Sequence, residues 1–333
     1  MARKNVIPVF VPHAGCPHAC VFCNQRRISG AAEPATAETV RRAIAAWRGG
    51  PCDLAFYGGS FTAIPTDRQE ELLEAAQPFL ALHPGNSLRL STRPDAVDAQ
   101  TLDRLKRYGV GTVELGVQSM DGRVLTLSRR GHTAKDAERA AALVREAGLA
   151  LILQMMTGLP GDTPDASRYT AERLIDLRPD GVRIYPTVVV RDTELCEAYR
   201  AGRYREHTVE DAVSLCASLV KLFDRAGVPV IRLGLNPTEE LSGGAAVAGA
   251  YHPALGELVY QRLMLERARA LLRGTDCAGC AAELGVPRGR VSLLVGQHRA
   301  GKRALMREFG LTDLRVRESD GDEIVILNIE KRG

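Results

Sequence analysis

The sequence predicts an α/β protein: a partial (β/α)6 parallel barrel followed by a small C-terminal α+β region. Two observations lead there. Over roughly the first 235 residues, short apolar runs alternate with amphipathic stretches, each long enough to cross back over a sheet. The runs are also rather apolar along their whole length, as strands of a parallel sheet covered by helices are. Parallel crossovers are right-handed, so six such units in succession curl into a whole or partial barrel.

Taken in order, a strand over 7–11 precedes a helix over 37–47, and strand 54–57 precedes helix 67–82. Strand 87–92 leads to helix 99–108, 112–117 to 134–147, 149–156 to 164–177, and 182–186 to 209–226. Residues 228–233 are a candidate seventh strand. Ligands of such folds bind on the loops that follow the carboxyl ends of the strands, so function is sought there.

The barrel is expected over 1–235, a linker or loop over 236–256 and a basic helical region over 257–333. Leu241-Ser-Gly-Gly-Ala-Ala-Val-Ala-Gly-Ala250 is a small-residue run of loop character. Beyond it, 257–307 hold ten Lys or Arg against four Asp or Glu. Residues 280–295 resemble helix-turn-helix sequences, with an Ala-rich first helix, a turn at Gly285 and a second helix carrying Val291 and Leu294. The same residues also read as two core helices joined by a glycine. Alternation on both sides of Asp320-Gly321 predicts a terminal β-hairpin.

Of the 333 residues 45% are hydrophobic and 25% charged, the make-up of a globular chain, and a net charge of +4 names no partner. No run reaches the ~18 apolar residues of a membrane span, and the first apolar stretch suits a buried strand better than a signal peptide. A cytoplasmic protein without membrane contact is expected. In that reducing compartment, close-spaced members of the eight cysteines are metal ligands or redox groups before they are disulfides.

Such a group follows the first strand: Cys16-Pro-His-Ala-Cys20-Val-Phe-Cys23. Three thiolates can hold three irons of a cubane cluster and leave the fourth open to chelate a small molecule and pass it an electron. Spacing alone leaves two alternatives open, a zinc site completed by His13 or His18 and three core cysteines.

With Phe22 before its last cysteine, this loop resembles the signature of radical S-adenosylmethionine (SAM) enzymes. A second motif agrees, Phe56-Tyr-Gly58-Gly59-Ser60 after the second strand, where that superfamily has a glycine-rich turn. Further along, Leu90-Ser-Thr-Arg-Pro-Asp95, Gly116-Val-Gln-Ser119, Arg129-Arg-Gly-His132, Met156-Thr-Gly-Leu-Pro-Gly161 and Arg183-Ile-Tyr-Pro-Thr187 are similar to the radical domain of the Elongator catalytic subunit. The same motifs resemble, more distantly, those of oxygen-independent coproporphyrinogen oxidases.

The resemblance implies a barrel of radical SAM type, with a [4Fe-4S] cluster on Cys16, Cys20 and Cys23. It implies reductive cleavage of SAM to a 5′-deoxyadenosyl radical that takes hydrogen from a substrate, with reduced flavodoxin or ferredoxin as electron donor. Phe22, Gly58, Gly59 and Ser60 fall on cofactor-contacting motifs. Gln118 matches a cofactor-contacting glutamine, Arg130 an arginine facing the methionine carboxylate, which its forked donors suit, and Gln154 a position facing the ribose. Ser91 stands where relatives often have glutamate. Tyr185, at the mouth of the sixth strand, is the catalytic candidate for substrate contact or hydrogen relay, with rim packing as its other reading. No acetyltransferase domain is seen, so acetyl-CoA chemistry is not implied. RNA, transfer RNA above all, is the implied substrate, met by the basic residues Arg288, Arg290, His298, Arg299, Lys302, Arg303 and Arg307. A small-molecule or tetrapyrrole substrate and a metal-dependent RNA-binding adapter without turnover are the alternatives. Cys277-Ala-Gly-Cys280 has knuckle spacing but no second pair nearby.

Overall fold

A computed structural model describes residues 5–17, 20–31, 33 and 35–331. The chain divides into two compact units, Met1–Pro253 and Ala254–Gly333.

In the first unit one sheet runs in the order β1 (Asn5–Phe10), β2 (Cys52–Tyr57), β3 (Ser87–Thr92), β4 (Val110–Gln118), β5 (Ala150–Thr157), β6 (Gly181–Pro186) and, past a short β7 (Val188–Val190) that lies outside it, β8 (Val230–Leu233). All neighbours are parallel, which makes a curled, open half-barrel of seven strands. Pro8, which has no N–H to give a ladder, is confined to the edge strand β1.

The crossovers are α1 (Gln25–Ser29) and α2 (Ala37–Ala46), α3 (Thr66–Ala75) and α4 (Gln77–Leu82), α5 (Ala99–Arg107), α6 (Gly122–Leu127) and α7 (Ala134–Glu146), α8 (Pro164–Asp176), and α9 (Glu194–Arg200) and α10 (Val209–Arg225). The local sequence starts them. Thr36, Thr133 and Thr208 cap α2, α7 and α10 in reciprocal capping boxes, and Thr163 caps α8 just before Pro164. The stretch 67–82, expected as one helix, is two, because Pro78 opens the first turn of a new one.

Strand alternation divides two environments. Leu54, Phe56, Leu88, Leu90, Val113, Leu115, Leu151, Leu153, Val182 and Ile184 are fully buried on the helix-covered face. The opposite, concave face carries Asp53, Tyr57, Arg89, Ser91, Glu114, Gln154, Arg183 and Tyr185, which the register sets side by side.

The stretch expected as a linker is folded. Leu241–Ala245 forms a turn, and β9 (Ala246–Gly249) pairs antiparallel with β7. Leu241 and Ala245 pack on Val188 and Val190, so the small residues permit close strand pairing rather than slack.

The second unit contains α11 (Leu255–Arg273), β10 (Cys280–Val286), α12 (Val291–Val295), α13 (Ala300–Phe309), β11 (Asp313–Glu318) and β12 (Val325–Lys331). Its sheet order is β11-β10-β12, with β10 parallel to β11 and antiparallel to β12. This overturns two expectations. Residues 280–286 are a strand rather than the first helix of a helix-turn-helix or a core helical pair. Ala282, Leu284 and Val286 are buried at a period of two, and Gly285 lies within the sheet, where a Cβ would come 2.8 Å from the Ser319 side chain. The terminal strands form no hairpin, since β10 inserts between them and takes both ladders. Cys277 and Cys280 are buried and free, Cys277 in this unit's apolar core. Among the described residues, no helix is long and apolar enough to cross a membrane.

Candidate active site

The cysteine loop is built onto the turn that ends β2. Val11 N donates to Tyr57 O (2.7 Å), His13 N to Gly58 O (2.9 Å) and Ser60 N to Ala14 O (2.8 Å), which carries backbone pairing past the strand ends. Two glycines permit the contact. A Cβ on Gly59 would lie 2.5 Å from the carbonyl oxygens of both Val11 and Ala14, and one on Gly15 2.2 Å from Ser60 O. Gly59 thus makes room for the cysteine loop. Gly58 holds a positive φ of 92° at the bend. Ser60 is fully buried, its hydroxyl paired with Thr92 Oγ1 (2.9 Å) and accepting from Arg93 N (3.2 Å), which locks the ends of β2 and β3 together.

The far end of the loop is anchored across the sheet. Val21 N donates to Ser128 O (3.3 Å) and Leu195 N to Val21 O (2.8 Å). Val21 and Phe22 are buried with Val124, Leu159, Val189 and Leu195, and Cys20 and Cys23 pack against this cluster. Phe22 is thus an apolar anchor of the loop. His18, one zinc-ligand candidate, falls outside the described residues. The other, His13, accepts from Gln25 N at Nε2 (3.0 Å), and among the described residues no three His, Cys, Asp or Glu converge as they would on a single ion.

The sulfurs share one electrostatic environment. Burial first, then Cys20, pushes the Cys23 thiol up to about 12. Cys16 is raised by burial and Cys20, against the lowering pull of Arg93 and Arg130. Thiols held so high lose their protons to solvent only when a metal takes the thiolate, and the two guanidiniums favour that negative charge. Arg130 is directly engaged. It is 7% exposed, and donates from Nη1 to Cys20 Sγ (3.1 Å) and from Nη2 to Gly116 O (2.6 Å).

Beside it, the segment from the end of β4 to α7 holds several buried polar atoms without a partner among the described residues: Gln118 Oε1, Ser128 Oγ, Arg130 Nε and His132 Nδ1. Native proteins rarely leave such atoms unpaired unless a ligand or water meets them. Gln118 is also held at φ 67°, a cost that persists where its surroundings demand it. Gly116 leaves the space, since a Cβ there would press on the Gln118 amide at 3.1 Å. Burial first, then Arg130 and Arg93, lowers His132 to about 4, so its ring is neutral and Nε2–H can donate to Val117 O (3.1 Å). Acceptors and donors waiting beside three sulfurs fit a polar, charged small molecule next to a metal group.

The concave face carries a network that the sequence reading missed. Glu114, 1% exposed, accepts from the Tyr57 hydroxyl (2.7 Å), Arg89 Nη1 (3.0 Å) and Arg183 Nη2 (2.9 Å), and Arg183 Nε lies 2.8 Å from its other oxygen. Arg89 also pairs with Asp53 (2.7 Å). Arg183 Nη1 donates to the Tyr185 hydroxyl (3.3 Å), so the catalytic candidate is tied to this network. Gln154 lies between Gly116 and Arg183 in register, and Ser91 beside Glu114, donating weakly to Phe56 O (3.4 Å). The available signal was one charge between apolar neighbours, as in Leu-Arg89-Leu, Val-Glu114-Leu and Val-Arg183-Ile.

Comparison with known proteins bears on this geometry. The model of the radical SAM superfamily matches residues 10–174, and that of the radical SAM C-terminal domain matches 179–264. The chain belongs to the radical SAM superfamily. It is 30% identical over 200 residues to the tRNA uridine(34) acetyltransferase of Methanocaldococcus infernus, covering 59% of this chain and 36% of that one. To human Elongator complex protein 3 it is 30% identical over 226 residues, 62% of this chain and 40% of the other. The radical SAM protein therefore spans well under half the length of these curated relatives. Among solved structures, Methanocaldococcus infernus Elp3 with an N-terminal deletion superposes with a TM-score of 0.62 at 22% identity, covering 80% of this chain and 64% of that one. Coproporphyrinogen III oxidase from Escherichia coli does so at 0.51 and 17% identity, covering 68% and 54%. The fold and kinship expected from the motifs are both found.

Proposed function

We propose that this radical SAM protein binds SAM beside a [4Fe-4S] cluster on Cys16, Cys20 and Cys23 and begins a radical modification of RNA, transfer RNA above all. The observation that carries the reading is the group of unpaired buried atoms on Gln118, Ser128, Arg130 and His132 next to the Cys20 sulfur. When bound, the reduced cluster supplies the electron that cleaves SAM to methionine and a 5′-deoxyadenosyl radical.

The chain's own residues position and shield. Cys16, Cys20 and Cys23, all free, would each give one thiolate to an iron of the cluster. Arg130 stabilises thiolate charge at Cys20 while its Nε remains able to donate to a carboxylate. Gln118 Oε1 can accept from an amino group. Phe22 and its apolar neighbours keep water from one side of the loop. On the concave face, Arg183 fixes the Tyr185 phenol at the edge of the chamber where a substrate group would enter. The preference for transfer RNA comes from the relatives named tRNA uridine(34) acetyltransferase.

Anaerobic reconstitution with iron, sulfide, dithionite and SAM tests the chemistry: 5′-deoxyadenosine is expected, and its absence from fully loaded protein refutes it. Nucleoside profiles of transfer RNA from a deletion strain and its parent test the substrate. A lost or altered modified nucleoside is expected, and identical profiles refute the RNA assignment.

A further inference from the structure

The second unit carries an exposed basic surface that the radical chemistry does not use. Arg290 precedes α12, His298 and Arg299 form the connection to α13, and Arg303 and Arg307 follow Arg299 at four-residue spacing along α13. All five are exposed, and none has an ion-pair partner among the described residues. The neighbouring carboxylates are committed elsewhere: Glu308 pairs with Arg269 (2.7 Å), and Asp313 with Lys302 (3.2 Å). The surface is uncompensated positive charge rather than a lattice of surface ion pairs.

Its setting narrows the partner. The order is strand, helix, short glycine-led loop, helix, strand, with β10 and β11 adjacent and parallel. α12 and α13 touch through backbone, since a Cβ on Gly301 would lie 2.3 Å from Leu294 O. KH modules present a loop between two helices in the same order and use it to clamp the backbone of about four nucleotides of a single strand. Arrangement alone names no ligand, but free arginines on that loop do. Here Arg299, at φ 61°, occupies the place of the second loop glycine of such modules and adds a charge. Phe309 is partly buried against the apolar core, which leaves the arginines' contact with the backbone as the main term beside the exposed His298 ring.

We propose that Gly296, Gln297, His298 and Arg299, with Arg303 and Arg307, form a backbone-binding site for single-stranded RNA. This rests on the RNA-modifying reading above and locates an RNA contact in the second unit.

Fluorescence anisotropy of the full-length protein with a labelled 12-nucleotide RNA, across a salt series, tests it. Gln297→Asp with His298→Asp puts two carboxylates on exposed positions and is expected to weaken binding at least tenfold at low salt. Arg299→Ala, Arg303→Ala and Arg307→Ala together are expected to flatten the log–log salt slope by about 2, at about 0.7 per phosphate contact. Equal thermal melting of variants and parent checks the fold. Wild-type-like binding by either variant, equal affinity for the same sequence as a duplex, or no binding by the parent overturns the proposal. SAM cleavage without RNA, followed in the same variants, is expected to be unchanged. A parent that binds RNA in this variant-sensitive way yet forms no 5′-deoxyadenosine supports the site and refutes the radical reading, and the reverse pattern refutes the site alone.

Discussion

Replacing Glu114 is the sharpest test of how the concave face is held together. Glu114→Ala removes the acceptor shared by Tyr57, Arg89 and Arg183 at 2.7, 3.0 and 2.9 Å. The two arginines do not suffer equally. Arg89 retains Asp53 at 2.7 Å, whereas Arg183, with a side chain 14% exposed, keeps only the Tyr57 and Tyr185 hydroxyls and the Tyr57 ring, 5.4 Å from its guanidinium carbon. An uncompensated buried charge of this kind costs about 3–5 kcal/mol. At about 2–4 °C per kcal/mol for a domain of this size, the melting temperature should fall by roughly 6–20 °C in calorimetry under reducing conditions. Glu114→Gln keeps an acceptor oxygen and should lose about half as much. Arg183→Met added to Glu114→Ala removes the stranded charge and should recover most of the loss. A Glu114→Ala melting point within about 2 °C of wild type, or a double variant no better than the single, refutes the assignment of one ion network to this face.

Three further outcomes follow from the site. Gly59→Ala places a methyl 2.5 Å from Val11 O and Ala14 O and should cost most of the iron that anaerobic reconstitution incorporates, while Gly122→Ala, with nothing within 4 Å, should load normally; equal loading refutes the packing role. Arg130→Ala loses charge-assisted bonds of about 1.5–3 kcal/mol, so SAM affinity by equilibrium dialysis should fall about 10–150-fold, and Arg130→Lys should not restore it because one ammonium cannot span Cys20 Sγ and Gly116 O; a change under threefold refutes this. His132 is lowered to about 4 when folded, against a usual 6.5, so the unfolded chain binds the extra proton and stability should decline as pH falls from about 6.5 to about 4, by up to about 3 kcal/mol. Urea denaturation should show that slope flattened in His132→Gln, and an unchanged slope refutes it.

Much of the barrel was legible because one physical signal dominates it. Strands buried under helices must be apolar, and the crossovers must be amphipathic, so 87–92 and 134–147 stand out with nearly their observed bounds. The cysteine loop stood out as a candidate because its three members lie within eight residues, directly after the first strand. The second unit misled for the opposite reason. Cys280-Ala-Ala-Glu-Leu-Gly-Val has helix-forming residues, yet it lies between two other strands, and tertiary pairing outweighs propensity there. The expected linker likewise hid a strand, because Ala246–Gly249 shows its partner only when β7 is beside it.

Single charges inside apolar strands were the signal least used, and they explain why this sheet differs from a closed barrel. In a closed (β/α)8 barrel the inward side chains fill the centre with branched apolar residues. Here the sheet stops at seven strands, its inner face stays open, and Asp53, Arg89, Glu114 and Arg183 occupy inward positions of β2, β3, β4 and β6. Two acids and two arginines balance there, so the chamber floor is polar but nearly neutral. At the strand ends Arg93, itself paired with Asp95, and Arg130 both act on Cys16. That division suits a reaction in which an anionic metal group must be held at the rim while the floor stays rigid and unreactive. Glu114 lies one strand over and beside Ser91 in register. Because three side chains, those of Tyr57, Arg89 and Arg183, already claim that carboxylate, it is a fixed part of the wall, whereas Gln118 Oε1, Ser128 Oγ, Arg130 Nε and His132 Nδ1 at the rim have no partner among the described residues.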